Sequence, residues 1–298
     1  MNQSSSGILT QLNRAMAYIE ARIEDDLALK DIAAATAYSA YHFGRLFYYI
    51  ADMPLSEYIR KRKLSLAAAA LQSSDARVID LALRYGYDSA DSFTRAFVKQ
   101  HGVTPSAARK TGISLTIFPP LTFQIKIKGV QAMNWRIEET EAYEVFGIEK
   151  LFRHGGDVPA FWTECHEKGL YHRLFTDAGG IGDPDRESPG VSLVNAICGY
   201  DGMDGEQFLY MICATVREDC RTEGYRVVRV PKSTWAVFRG EEADHPGPQI
   251  GGLFNRALSE WLPSSGYERA SGPDLEVYNI TENGKYCDEV WIPVMRSI

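Results

Sequence analysis

The 298-residue sequence predicts a two-domain chain. An all-α N-terminal domain holds two helix-turn-helix units. An α+β C-terminal domain is built from a duplicated strand-helix-strand-strand unit. Three observations lead there. Apolar residues recur at three-to-four spacing through the first 110 residues. Two stretches inside that region are near-copies of each other. Beyond about residue 113 the texture turns to alternating, strand-like runs, and these repeat some ninety residues apart.

The helical part reads as "ILTQLNRAMAYIEARI", "LKDIAAAT", "AYHFGRLFYYI", "LSEYIRKRKLSLAAAALQ", "VIDLALRYG" and "SADSFTRAFVKQ". Turn signals separate these helices: "DMP" at 52–54, Gly86, and "HGVTP" at 101–105. Pro105 sits where a helix begins.

The stretch "AYSAYHFGRLF" (37–47) resembles "GYDSADSFTRAF" (86–97), with Phe43, Arg45 and Phe47 recurring as Phe93, Arg95 and Phe97. Each copy follows a short helix and a tight turn, and one long helix from about Leu55 to Ser73 joins them. Gly86 suits its turn because glycine takes a left-handed backbone without strain. Ala37 occupies that place in the first copy, so the first turn is expected to differ. Phe93 and Phe97 lie four apart on one stripe, leaving Ala90, Asp91, Thr94 and Arg95 on the slim opposite face. Such a helix fits a major groove, and an arginine at the same place in both copies suits guanine edges or phosphate. Lysine and arginine also run together as "RKRK" at 60–63, either as a solvated face or as a phosphate contact.

Net charge is divided between the halves. Residues 1–110 carry +3 and residues 111–298 carry −10. This asymmetry suggests two partners of different kinds. No apolar run approaches the ~20 residues of a membrane span, and the N-terminus lacks a signal core, so a cytoplasmic location is expected. The five cysteines form no C-x-x-C pair and read as reduced thiols.

"SLTIFPPLTFQIKIKG" reads as extended linker strands broken by Pro-Pro. The stretch "MNWRIEETEAYEVFGIEK" then finds its partner in "GYRVVRVPKSTWAVFRGEE". Helix-like runs follow each, "VPAFWTECHEKGL" and "PQIGGLFNRALSEWL". Two strand-like runs follow each helix, which predicts a cleft at the pseudo-twofold interface. Trp162, Tyr210, Trp235, Phe254 and Trp291 are candidate wall residues there, although such aromatics are commonly core.

Residues 8–110 resemble the DNA-binding domain of the AraC/XylS family of transcription regulators, through the two quoted units with their "F.R.F" and "G.TP" pattern. The resemblance implies promoter DNA as a partner, RNA polymerase as a second, and a bacterial one-component regulator. It implies base-contacting positions at Tyr41, Gly44 and Arg45 in the first reading helix and at Ala90, Asp91, Thr94 and Arg95 in the second. Gly44 and Asp91 depart from the side chains common there. Residues 133–298 resemble the GyrI-like effector-binding domain, also found in regulators of multidrug response, through the strand pairs, the "FW.E" helix and "PDLEVY…DEVWIPV". That likeness implies a small, aromatic or cationic effector and acidic pocket residues at Glu276 and Glu289. Glu289 has a competing reading as the partner of Arg136 or Arg239. The expected layout is thus 1–110 for DNA, 111–132 as linker and 133–298 for the effector.

Enzymatic signals are weak. Cys165 and His166 are adjacent and face about 100° apart on a helix, so they form no direct dyad. His154, His166 and His172 lack a zinc pattern. "GGIGDPDRESPG" (179–190) reads as a mobile loop and not as a phosphate cradle. No metal, no cofactor and no catalysis are expected. The alternatives are a GyrI-like hydrolase and a C-terminal half that binds another protein without ligand.

Overall fold

The computed structural model describes residues 4–36, 38–110, 112–123, 132–181, 194–201 and 207–296, with side chains from residue 9 onward. Ala37, residues 124–131 of the linker and residues 182–193 lie outside the described residues. The chain divides into two compact units, residues 9–125 and residues 126–298 together with 1–8.

The helical unit contains α1 (Ser4–Ala21), α2 (Leu29–Ala34), α3 (Ala40–Ala51), α4 (Leu55–Ser73), α5 (Val78–Arg84), α6 (Ala90–His101) and α7 (Pro105–Ala108). Leu12, Ala15, Met16 and Ile19 give α1 one buried stripe at helical spacing. The two copies correspond at an offset of fifty residues, cap for cap. Ser39 Oγ accepts from His42 N at 3.3 Å, and Ser89 Oγ accepts from Ser92 N at 3.1 Å. Both helices then end on a left-handed residue, Asp52 at φ 52° and Gly102 at φ 74°. Thr104 caps α7 and Pro105 takes its first position. In the preceding turns Gly86 adopts φ 80°. In the first copy, Thr36 Oγ1 donates to Ala33 O and accepts from Tyr38 N. At the offset of fifty it is Thr36, and not Ala37 as the sequence suggested, that stands opposite Gly86, and the first turn is bonded through its hydroxyl.

Phe43, Phe47, Phe93 and Phe97 are all fully buried, as the repeat predicts. Residues 113–123 contain no strand, contrary to the alternation pattern. Pro119 and Pro120 have no amide hydrogen to give a ladder, and side chains of the helical unit take the neighbouring backbone groups instead.

The second unit is one antiparallel sheet with helices. Its elements are β1 (Asn134–Thr140), β2 (Tyr143–Arg153), α8 (Val158–Glu167), α9 (Leu170–Asp177), β3 (Asn195–Cys198), β4 (Gln207–Thr215), β5 (Arg226–Val230), β6 (Ser233–Ala243), α10 (Ile250–Arg256), β7 (Tyr267–Arg269), β8 (Asp274–Ile280) and β9 (Tyr286–Arg296). Strand order is β1-β6-β9-β8-β3-β4-β2-β5, with β7 on β9. Exchanging β1 with β5, β2 with β6, β3 with β8 and β4 with β9 reverses that order onto itself. The sheet therefore carries the pseudo-twofold between its central strands β3 and β8. Each repeat opens on two consecutive strands, β1 and β2 or β5 and β6, where the sequence suggested one, and the two are not paired with each other. β1 pairs with β6 and β5 with β2, so the opening strand of the first repeat lies in the second repeat's half of the sheet.

Candidate functional site

The reading faces of α3 and α6 differ. On α6, Asp91 and Arg95 are exposed, and Ala90 and Thr94 are half-buried. Arg95 makes no hydrogen bond or ion pair among the described residues. On α3, Tyr41, Gly44 and Arg45 are all buried. Arg45 Nη1 donates to Tyr41 OH at 2.6 Å, and its guanidinium lies 5.6 Å from the centre of the Tyr49 ring. Tyr41, Arg45 and Tyr49 stand four apart, so one helix face stacks them. The expectation of two displayed arginines is corrected for Arg45, because its own neighbours engage it.

The "RKRK" run is absorbed internally. Arg60 and Lys61 lie 4.0 Å and 2.9 Å from Glu57. Lys63 Nζ donates to Asp25 O at 3.0 Å. Arg62 is buried and holds Glu20 with Nε at 2.9 Å and Nη2 at 2.7 Å. That guanidinium keeps the Glu20 carboxyl below its usual range.

In the sheet domain the register sorts the candidate residues into two groups. Glu276 pairs across with Val290, whereas Glu289 pairs with Val277. Directly paired residues share a face and neighbours along a strand do not, so the two carboxylates point to opposite sides of the sheet. Ala196 pairs with both Glu276 and Ile212, which puts Tyr210 on the Glu276 side.

On that side Tyr210 OH donates to Glu276 Oε2 at 2.6 Å and Tyr278 OH donates to the same oxygen at 2.7 Å. Trp162 Nε1, from α8, donates to Tyr210 OH at 2.8 Å. The Trp162 ring stands edge-on to Tyr278 at 5.3 Å. Burial first, and then the Glu276 charge, push both phenols well above their usual range. Both tyrosines therefore stay protonated and donate. Glu276 is 6% exposed and takes two phenolic hydrogen bonds on one oxygen.

On the other side Arg136 grips Glu289 with Nη1 at 2.7 Å and Nη2 at 3.0 Å, and Trp291 Nε1 adds a bond at 3.1 Å. Glu289 thus takes its competing reading as half of an ion pair with Arg136. Trp235 is fully buried and donates to Thr140 Oγ1 at 2.9 Å. It joins Val237, Leu275 and Trp291 in an apolar cluster. Phe254 is fully buried on α10.

The structure therefore brings together Trp162, Tyr210 and Glu276. It places Glu289, Trp235 and Trp291 across the sheet, and Phe254 on the other repeat's helix. Sequence reasoning missed Tyr278. Strand alternation was the available signal, since Tyr278 stands two residues after Glu276 and shares its face.

Comparison with known proteins agrees with this architecture. The family model described as a helix-turn-helix domain matches residues 32–111, and the GyrI-like small molecule binding domain matches residues 133–295. The transcriptional activator AarP of Providencia stuartii is 39% identical over 107 residues, 36% of this chain and 77% of its own. The chain belongs to the AraC-type regulators that carry a GyrI-like domain. Transcriptional regulator Rob of Salmonella typhimurium is 36% identical over 118 residues, 39% of this chain and 40% of its own length. The chain thus spans well under half of Rob. A putative transcription regulation protein of Staphylococcus aureus aligns over 55% of this chain and 99% of its own, at 20% identity and TM-score 0.43. Among the described residues of this AraC-type regulator, no helix is long and apolar enough to cross a membrane.

Proposed function

We propose that this regulator reads promoter DNA through α6 and α3 and senses a small lipophilic cation at Glu276. The single observation that carries the effector reading is the Trp162–Tyr210–Glu276–Tyr278 cluster. A carboxylate held between two tyrosine hydroxyls in a largely desolvated place is costly when ionised, and a cation offsets that cost. The same rings attract the cation, contributing on the order of 0.5–2 kcal/mol.

For DNA, the displayed Arg95 is the leading base-reading side chain, supported by Ala90, Asp91 and Thr94. Tyr41, Gly44 and Arg45 read the adjacent groove once the Tyr41–Arg45 contact opens. RNA polymerase is the proposed downstream partner. Ligand binding changes transcription only through different affinities for two states of the protein.

The test uses the full chain with tetraphenylphosphonium as probe. The cation should raise the melting temperature of the wild type by mass action and leave Glu276→Gln unmoved. Promoter DNA titrated with and without the cation should give different affinities or transcript levels. No stabilisation by any lipophilic cation would favour a protein-binding role for the C-terminal domain. Catalysis through Cys165 is disfavoured, because burial pushes its thiol up to about 11.

A further inference from the structure

Residues 113–123 read as a connector, yet their backbone is held at five points by side chains of α1 and α4. Phe118 N donates to Ser65 Oγ at 2.9 Å, and Phe118 O accepts from Arg62 Nη1 at 2.5 Å. Leu121 N donates to Tyr58 OH at 3.0 Å, and that hydroxyl donates on to Glu20 Oε1 at 3.0 Å. Asn13 clamps Phe123, accepting from its N at 2.9 Å and donating to its O at 3.0 Å. One side-chain amide thereby replaces a pairing strand. Lys61 Nζ lies 4.9 Å over the Phe118 ring.

Two of these contacts continue into the reading helices. Phe123 is 8% exposed and meets Phe47 of α3 edge-on at 6.1 Å, while Tyr58 meets the same ring at 5.7 Å. At the other end, Ser65 Oγ also accepts from Gln100 Nε2 of α6 at 3.2 Å, and Gln100 donates to Lys61 O at 3.1 Å. The segment thus reaches α6 through Ser65 and α3 through Phe47. Two reading helices on one duplex must stand about one helical turn apart, ~34 Å. A single long helix joins them through non-helical links at 52–54 and 74–77, and a second connection laid along that helix limits motion about those links. Bivalent binding then depends sharply on whether the sites match the fixed span.

We propose that residues 113–123 are a positioning strap that fixes the separation of α3 and α6, so that the DNA-reading unit extends through Phe123. The inference rests on the DNA-reading function above. The test takes a duplex selected by the full-length wild type from a random pool and shifts its half-sites apart by one base pair. Wild type should lose at least about tenfold in affinity, comparable with a mismatched base pair. In Phe123→Ala and Asn13→Ala that penalty should fall below about threefold, while affinity for an isolated half-site stays at the wild-type value. Phe123→Leu should restore most of the penalty, and Thr122→Ala, at an exposed position, should behave as wild type. Variants that keep the full spacing penalty, or that lose affinity alike for every spacing and half-site, overturn the proposal. Should Phe123→Ala fail to fold, Asn13→Ala still removes the clamp without touching the ring, and circular dichroism checks its fold. A wild type without sequence preference rejects the DNA-reading function itself, and this inference with it, before any variant is compared.

Discussion

Arg45 and Arg95 stand fifty residues apart at one place in two copies of one motif, yet Arg45 is 6% exposed and Arg95 faces water. The same contrast recurs in the sheet domain. Val145-Phe146 and Val237-Phe238 mark equivalent points of its two repeats. Trp162 and Phe254 each follow that valine by 17 residues. Register through β4 and β9, with Val145 paired to Thr215 and Val237 to Trp291, makes Tyr210 equivalent to Tyr286 and Glu276 to Val194. Duplication therefore supplies two scaffolds in each half of the chain, and the copies differ at the charged position: Arg95 is exposed where Arg45 is engaged, and Glu276 stands where the other copy has Val194. Backbone and apolar core repeat faithfully because both copies must bury the same stripe. Outside that stripe the two copies carry different side chains, each with its own neighbours.

Installing the missing carboxylate should have the largest effect. Val194 is 2% exposed, so Val194→Glu should cost about 3–5 kcal/mol in denaturant unfolding, as an uncompensated buried charge does. A neutral result would mean that the first repeat also accepts a carboxylate at the equivalent position. Next comes the reading pair. Arg95→Ala should cost about 1–3 kcal/mol at one base step of the selected duplex, and Arg45→Ala less, by binding titration. Equal losses would erase the contrast between α3 and α6.

Glu289→Gln sharpens the division between the two faces of the sheet. It should lower stability by about 1 kcal/mol, since Arg136 is 41% exposed and solvent screens the pair. Its response to tetraphenylphosphonium should match wild type, measured by thermal shift. Asp52→Gly imports the cap of the second copy into the first. Relief of a left-handed aspartate at φ 52° should add about 0.5–1 kcal/mol.

His101 gives the smallest expected effect, and one confined to the second copy, where the first has Ala51. Its ring lies 4.2 Å from that of Phe97 and its Nε2 donates to Leu64 O at 3.2 Å. Burial lowers its pKa from the ordinary 6.5. Well above that pH both folded and unfolded chains hold it neutral. As pH falls through 6.5 the unfolded chain takes a proton that the folded chain resists, so stability is lost toward acid. His101→Phe should flatten that slope in pH-dependent melts.

The sequence by itself determined the two domains, the paired helix-turn-helix units, the buried phenylalanines and the duplicated sheet, because each depends on local periodicity and on repetition along the chain. It also carried Glu276, by likeness to a family. Only the tertiary structure decided which candidates meet. Facing across a sheet depends on register between strands far apart in the chain, and a shift of one residue separates Glu276 from Glu289. Arg45 depended on neighbours one helical turn away competing for its guanidinium. The strap depended on side chains up to 110 positions distant, from Asn13 to Phe123, and no local pattern encodes such a contact.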